Sequence, residues 1–379
     1  MQRFASKLSP QIINLLIAIL VVMAITLYLY LIKFHGQITG FFRIGSILPL
    51  SPYLDPNRTL IYRGEIGYDG QQFLSLAFDP FLHNPATLDS LDHPIYRYRR
   101  IFYPLLSYVL SFGYRPLIPY MMVAINGLSI IAIVGITSLY FNPNPVNRWQ
   151  PLLTLCIPGV WMVLSLGTAD LLSSLLLIIA FYCYRFDKPL GTAIAIALAC
   201  LTRETLLLIW LALLITSILQ KKKAQIKYLF AALILPIFWT VYISFLNLPG
   251  AVRVKANFGY PFVGIYQKFV SLITGGLNGR NLFEAYLFIL LLAILTTVLI
   301  IAYYRQKDNK LIELSTLLYS TMFAMSSMTI LGYYLDYSRV FMDFYFFLLL
   351  IINPSKLPLK TGLLLGSGLG SLAFLALHS

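Results

Sequence analysis

The sequence predicts an all-α, polytopic membrane protein, one integral-membrane domain over residues 1–379. It should have about 11 transmembrane helices, roughly 10 to 12 depending on how the shorter runs are divided. Three observations predict this class. Mean hydropathy is +0.79 and 59% of residues are hydrophobic, while only 11% are charged, against roughly 25% in soluble domains. Residues 12–32 carry no charge and are long enough to cross a hydrocarbon core of about 30 Å. The lysines fall mainly in short connectors between further apolar runs.

The first run, at about 11–33, is too long for a cleaved signal peptide, and no small-x-small site follows it. Residues 34–100 then form a polar loop without lysine, its most informative part lying at 43–100. It holds six of the 14 acidic residues (Asp55, Glu65, Asp69, Asp79, Asp89 and Asp92) and three of the four histidines (His35, His83 and His93). Further apolar runs fall at about 101–113, 117–141, 151–166, 170–185, 190–202, 205–219, 228–246, 282–304, 311–331, 340–352 and 361–377. Several are shorter than the ~20 residues a straight span needs, so broken helices around a cavity are expected.

The net charge of +14 follows the positive-inside rule rather than nucleic-acid binding. Arg3 and Lys7, Arg148, Arg185 with Lys188, Lys221 to Lys223 with Lys227, the 305–310 connector and the 353–360 connector are placed inside. The 34–100 loop then faces outside, provided that 101–113 is an interfacial or re-entrant piece. Asp170, Arg203, Glu204, the 247–281 loop and residues 336–339 share that face. A rival threading makes 101–113 a span and 190–219 one continuous helix, placing Asp170 inside and Arg203 near mid-membrane. Cys156, Cys183 and Cys200 sit singly in apolar runs and imply neither a disulfide nor a zinc site. His83 and His93 have no ligand-like spacing, so no metal site is expected.

Asp69 is the sharpest candidate for chemistry. It stands between Tyr68 and Gly70, where glycine permits a tight turn and close approach of a ligand. A carboxylate at the edge of a low-dielectric cavity is expected to have a raised pKa, which suits a general base; the plain alternative is a cap for a helix starting near Gln71. Glu65 would share its face if the segment were helical. An arginine in an apolar helix is costly and normally functional, and guanidinium matches phosphate, so Arg203 is a candidate phosphate ligand or the partner of Glu204 or Asp170. Arg97, Arg99 and Arg100, interleaved with Tyr96 and Tyr98, and Arg339 of the Asp336-Tyr337-Ser338-Arg339 segment are the other phosphate candidates. Tyr68, Gln71, Gln72 and Asn257 are the acceptor- or sugar-binding candidates.

Tyr68-Asp69-Gly70-Gln71-Gln72-Phe73, Ile101-Phe102-Tyr103-Pro104-Leu105-Leu106 and Leu201-Thr202-Arg203-Glu204-Thr205 together resemble segments of the GT-C class of integral-membrane glycosyltransferases. The resemblance is closest to mannosyltransferase-type members, including the second mannosyltransferase of GPI-anchor synthesis and its bacterial relatives. It implies inverting transfer of a hexose, such as mannose, from a polyprenyl-phosphate donor to a glycan, lipid or protein acceptor outside a bacterial plasma membrane. Asp69 would be the catalytic acid in the first external loop. Many members carry two near-adjacent acids there, whereas Asp69 has no acidic neighbour; Glu65 or Asp79 are the candidate second acids. The class allows a divalent cation, magnesium or manganese, as its only cofactor. The competing readings are a transporter or flippase of a lipid-linked sugar and a non-catalytic membrane subunit.

Overall fold

Ser9 accepts a hydrogen bond from the Ile12 N–H and Pro10 occupies the first turn, a pairing that starts helices because proline lacks a donor there. Helix α1 (Pro10–Tyr28) follows and continues in a wider turn to Lys33. Asn14, Ala18, Val22 and Leu29 face inward, while Leu16, Leu20, Met23, Leu27 and Leu31 are exposed. An apolar face left outward is what a helix in lipid requires, since lipid is itself the apolar solvent.

The computed structural model of the protein describes residues 9–141, 148–249, 257–304, 310–351 and 357–377. Among these, five helices are long and apolar enough to cross a membrane: Pro10–Lys33, Arg115–Tyr140, Lys223–Phe245, Gly279–Ile301 and Pro358–Leu377. The chain is thus an all-α protein with several membrane-length helices. Arg3, Lys7, residues 305–309 and residues 353–356 of the basic connectors lie outside the described residues.

Residues 34–100 build a cap of short elements. Strands β1 (Ile44–Gly45) and β2 (Ile61–Tyr62) pair in parallel, followed by α2 (Asp69–Phe78), α3 (Ala86–Asp89) and α4 (Pro94–Tyr98). Helix α5 (Phe102–Leu110) rises only about 13 Å, so the 101–113 run does not make a straight span. Helix α6 (Ile118–Tyr140) does. The 151–166 run is broken by Pro158 into a 3-10 segment (Gln150–Cys156) and α7 (Pro158–Leu166). Gly167 ends α7 at φ 60°, a conformation glycine takes without a Cβ penalty, and the chain turns through Thr168 and Ala169 into α8 (Asp170–Arg185).

Helix α9 (Pro189–Thr202) stops at Arg203, whose backbone is extended (φ −158°, ψ 114°), before α10 (Leu207–Leu219). The continuous 190–219 helix of the rival threading is therefore absent. Helices α11 (Lys223–Ala232) and α12 (Ile234–Phe245) form the third membrane-length piece, beginning earlier than the apolar run alone suggests. Then come α13 (Val263–Thr274), α14 (Gly279–Tyr304), α15 (Lys310–Ala324), α16 (Met328–Leu331), α17 (Tyr334–Val340), α18 (Asp343–Leu350) and α19 (Leu357–Leu377). The 311–331 run breaks at Ser326 and Ser327, where Ser326 bridges Phe258 and the Ser327 hydroxyl caps α16. Trp161, Phe181, Tyr319, Phe323, Phe344 and Phe347 are buried at the centre, several in edge-to-face pairs.

One close approach seats the cap on the bundle. A Cβ added at Gly70 would lie 2.0 Å from the Leu166 carbonyl oxygen and 3.1 Å from the Phe42 Cα. Backbone cannot yield as a side chain does, so Gly70→Ala is expected to cost about 1–3 kcal/mol. Thermal unfolding in detergent reads this directly; a wild-type Tm would show that the contact relaxes without loss.

Candidate functional site

Helix α2 begins at Asp69 rather than near Gln71, and Tyr68 is its extended N-cap residue, with no side-chain cap bond. The turn before it needs Gly67 at φ 91°. The Tyr68 N–H donates to the Arg43 carbonyl at 3.1 Å, and the Gly45 N–H donates to Gln71 Oε1 at 2.9 Å, locking the helix start to the strand pair. Asp69 is thus held rigidly with its carboxylate free of backbone duty. Both its oxygens take guanidinium partners: Oδ1 is 2.6 Å from Arg97 Nη1 and Oδ2 is 2.6 Å from Arg339 Nη1.

Arg97, on α4, also forks onto Asp92 through Nε (2.7 Å) and Nη2 (2.6 Å). Arg339, on α17, reaches Asp170 at 3.2 Å and Asp336 at 3.5 Å, and lies 4.9 Å from the centre of the Tyr68 ring. The Tyr68 hydroxyl donates to Asp336 Oδ1. Deeper in the bundle, Arg203 Nη1 sits 3.5 Å from Asp170 and 3.7 Å from Asp343, and its Nη2 donates to the Val340 carbonyl. Thr168 supports Asp170 at 2.8 Å and Ser174 supports Asp343 at 2.6 Å. Arg100 forks onto Glu204 at 2.7 and 3.0 Å and packs on Tyr96, 4.3 Å from the ring centre.

These contacts bring Asp69, Asp170, Arg203, Glu204, Asp336 and Arg339 to one end of the bundle. One guanidinium nitrogen touches both Asp69 and Asp170, so the rival threading, which separates them across the membrane, does not hold. Of the two partners expected for Arg203, Glu204 or Asp170, it faces Asp170, and Glu204 pairs with Arg100 instead.

The expected rise of the Asp69 pKa is reversed. Burial alone would push this carboxyl up, but Arg339, Arg97 and Arg100 pull it well below the usual carboxylate range. Asp336 behaves oppositely: burial pushes it up, and Arg339 and Tyr68 offset only part of that rise, while the charge of Asp69 adds to it.

The second-acid candidates serve elsewhere. Residues 63–68 are not helical, so Glu65 does not share a face with Asp69; it chelates Arg43 at 2.8 and 3.0 Å. Asp79 is buried and accepts from the His83 N–H, the Asn84 N–H and the Thr87 hydroxyl, each at 2.9 Å, which makes it the internal cap of the loop that follows. Gln71 and Gln72 are buried, and Gln72 Oε1 accepts from the Asp92 N–H at 3.1 Å; both brace backbone rather than present an amide to a sugar. Asn257 offers its carbonyl to the Ser327 N–H at 2.9 Å. Arg99 Nε is buried with no hydrogen-bond partner among the described residues.

Asp92, Asp343 and Arg280 were missed. Asp343 was findable, being an acid inside the apolar 340–352 run. Asp92 became significant only through the fold. Arg280, exposed at the start of α14 and 5.7 Å from the Tyr333 ring centre, helps line a cavity of about 890 Å³ with Arg43, Glu65, Tyr333, Tyr334 and Phe374. Tyr333 and Tyr334 lead directly into α17 and Asp336.

Among the described residues no three His, Cys, Asp or Glu side chains are placed to hold a metal ion. Asp92 and Asp170 beside Asp69 are spent on arginines, and Asp336 alone of the described acids there offers a free oxygen, so this donor set does not fit magnesium or manganese. No family model matches the chain, and neither a curated protein nor a solved structure matches it.

Proposed function

We propose that this chain is a membrane glycosyltransferase of the GT-C type, moving a hexose such as mannose from a polyprenyl-phosphate donor to a glycan, lipid or protein acceptor. One observation carries the reading: interlocked carboxylates and guanidiniums converge around Asp69 at one end of an apolar bundle, beside a cavity with a basic and aromatic rim. A sugar phosphate attached to a lipid needs such a border, apolar for the chain and cationic for the phosphate. The reading keeps about 11 crossings, the shorter helices serving as pieces of broken spans beside the five long ones. The reading includes an external Asp69 face, from the basic connectors under the positive-inside rule, and a bacterial plasma membrane as the location.

The arginines divide into two sets in this proposal. Arg97, Arg100, Arg203 and Arg339 are held by carboxylates and shape the site. Arg280 on the cavity rim and Arg99 are the groups from which a phosphate draws its first contacts. Charges gathered at a bundle end favour chemistry there over transport, which places ionisable groups near the midplane.

The test is transfer of radiolabelled mannose from polyprenyl-phosphate mannose into lipid extracts, with wild type set against Asp69→Asn in the full chain. Asn keeps the size and one acceptor oxygen but loses the charge that both arginines share, and a loss of about a hundredfold or more is expected. Wild-type transfer by the variant would show that Asp69 is dispensable to the chemistry, and transfer by neither protein, with no movement of a lipid-linked sugar, would leave a subunit role standing. Absence of transfer by either protein, with movement of the lipid-linked sugar across vesicles, would replace the enzyme by a flippase.

A further inference from the structure

We infer that Asp336, hydrogen-bonded by Tyr68, is the proton-accepting group of this site and that Asp69 is a positioning residue. The inference rests on the glycosyltransferase reading above for the identity of the hydroxyl that gives up its proton.

The geometry separates the two carboxylates. Asp69 has both oxygens committed, one to Arg97 and one to Arg339, each at 2.6 Å, and its side chain is only 14% exposed. A proton arriving there would have to break an ion pair between buried groups. Asp336 is bound through one oxygen: Oδ1 takes the Tyr68 hydroxyl and lies 3.5 Å from Arg339 Nη2. Among the described residues Oδ2 makes no hydrogen bond, and the side chain is 25% exposed. It therefore offers a lone pair to solvent or substrate while its other oxygen is anchored.

The charged groups facing Asp336 are Tyr68 and Asp69 from α2 and Arg339 from its own helix. Arg339 is shared with Asp69 and Asp170, so only part of its charge is available to Asp336, and burial prevails over it. The carboxyl is left above its ordinary range, the direction that suits a base working near neutrality. Burial also keeps the Tyr68 phenol protonated, so it remains a donor throughout.

The step balances simply. The acceptor O–H bond breaks and its proton passes to Asp336. The acceptor oxygen forms a bond to the anomeric carbon as the bond from that carbon to the phosphate oxygen breaks. The electron pair leaves on polyprenyl phosphate, and Asp336 later returns its proton to solvent.

Two readouts on full-length protein in nanodiscs test this. The first needs no substrate: infrared difference spectra across pH should contain a carboxyl that titrates above the ordinary aspartate range, absent from Asp336→Asn. A band unchanged in that variant overturns the assignment. The second uses polyprenyl-phosphate mannose. Asp336→Asn, which keeps a Tyr68 acceptor and is expected to fold, should lose transfer by about a hundredfold or more. Tyr68→Phe removes a bond that lowers the Asp336 pKa, so its transfer profile should move to higher pH, which a merely structural tyrosine would not cause. Wild-type transfer by Asp336→Asn, or an unmoved Tyr68→Phe profile, overturns the inference and leaves the glycosyltransferase reading intact. The infrared result without any transfer by wild type supports the proton site and removes the enzyme reading.

Discussion

Arg339→Gln is expected to lower stability by about 3–5 kcal/mol at neutral pH, the range found when one partner of a buried ion pair is removed. Arg339 is 8% exposed and touches Asp69, Asp170 and Asp336. Glutamine reaches none of them with a charge, and at least Asp69 and Asp170 stay buried. The loss should depend on pH, with a definite sign. In wild type the Asp69 carboxyl is held below its usual range. Its contribution is therefore fully present above the unfolded value near 3.9 and lost only as pH falls below that. In the variant Arg97 still holds Asp69, but Asp336, already raised by burial, loses its largest lowering charge and rises further. A raised carboxyl gains stability as pH falls through its folded value. The gap between variant and wild type should therefore narrow between about pH 7 and about pH 5. Unfolding in nanodiscs at the two pH values measures it. A gap of equal size at both would mean that packing, not charge, is what Arg339 supplies. Arg339→Lys keeps the charge without the planar fork, so it should recover part of the loss only.

The membrane-length helices were legible because an uncharged apolar run reports its environment without reference to any partner. That is why residues 12–32 and 117–141 map onto α1 and α6. The gathering of Asp69, Asp170, Arg203 and Arg339 was legible because the basic connectors, read by the positive-inside rule, put all four on one face. What pairs with what was not legible. Asp69 finds Arg339 across 270 positions and Arg100 finds Glu204 across 104, and nothing local encodes either. The sign of the Asp69 shift went wrong for the same cause, because burial and arginines push it in opposite directions and only the fold says which wins. Glu65 and Asp79 are different, since their local context held the answer. Gly64 and Gly67, at φ 77° and 91°, stop a helix from joining Glu65 to Asp69. The spacing of Asp79 from His83, Asn84 and Thr87 is that of an acid folded back on its own loop.

Arg203→Met alone is expected to cost about 3–5 kcal/mol, and Arg203→Met with Asp343→Leu to restore most of it. Arg203 is almost fully buried, yet its Nη1 lies 3.5 and 3.7 Å from its two carboxylates and makes no hydrogen bond. Such loose pairs return little of the desolvation they cost, while a lone Asp343, fully buried on α18, has nothing to balance it. Removing both charges leaves Asp170 its bonds to Arg339 and Thr168. Ser174, having lost Asp343, sits one turn after Asp170 and can turn its hydroxyl to that carbonyl. Chemical denaturation of the single and double variants decides the point. A double variant as weak as the single would show that the Val340 carbonyl or Asp170, not Asp343, is what Arg203 serves. The double variant also separates architecture from binding. If it folds and still transfers sugar, Arg203 holds the break between α9 and α10 in place. If it folds and loses transfer, the guanidinium meets the donor phosphate during the reaction, and the carboxylates around it are its resting partners.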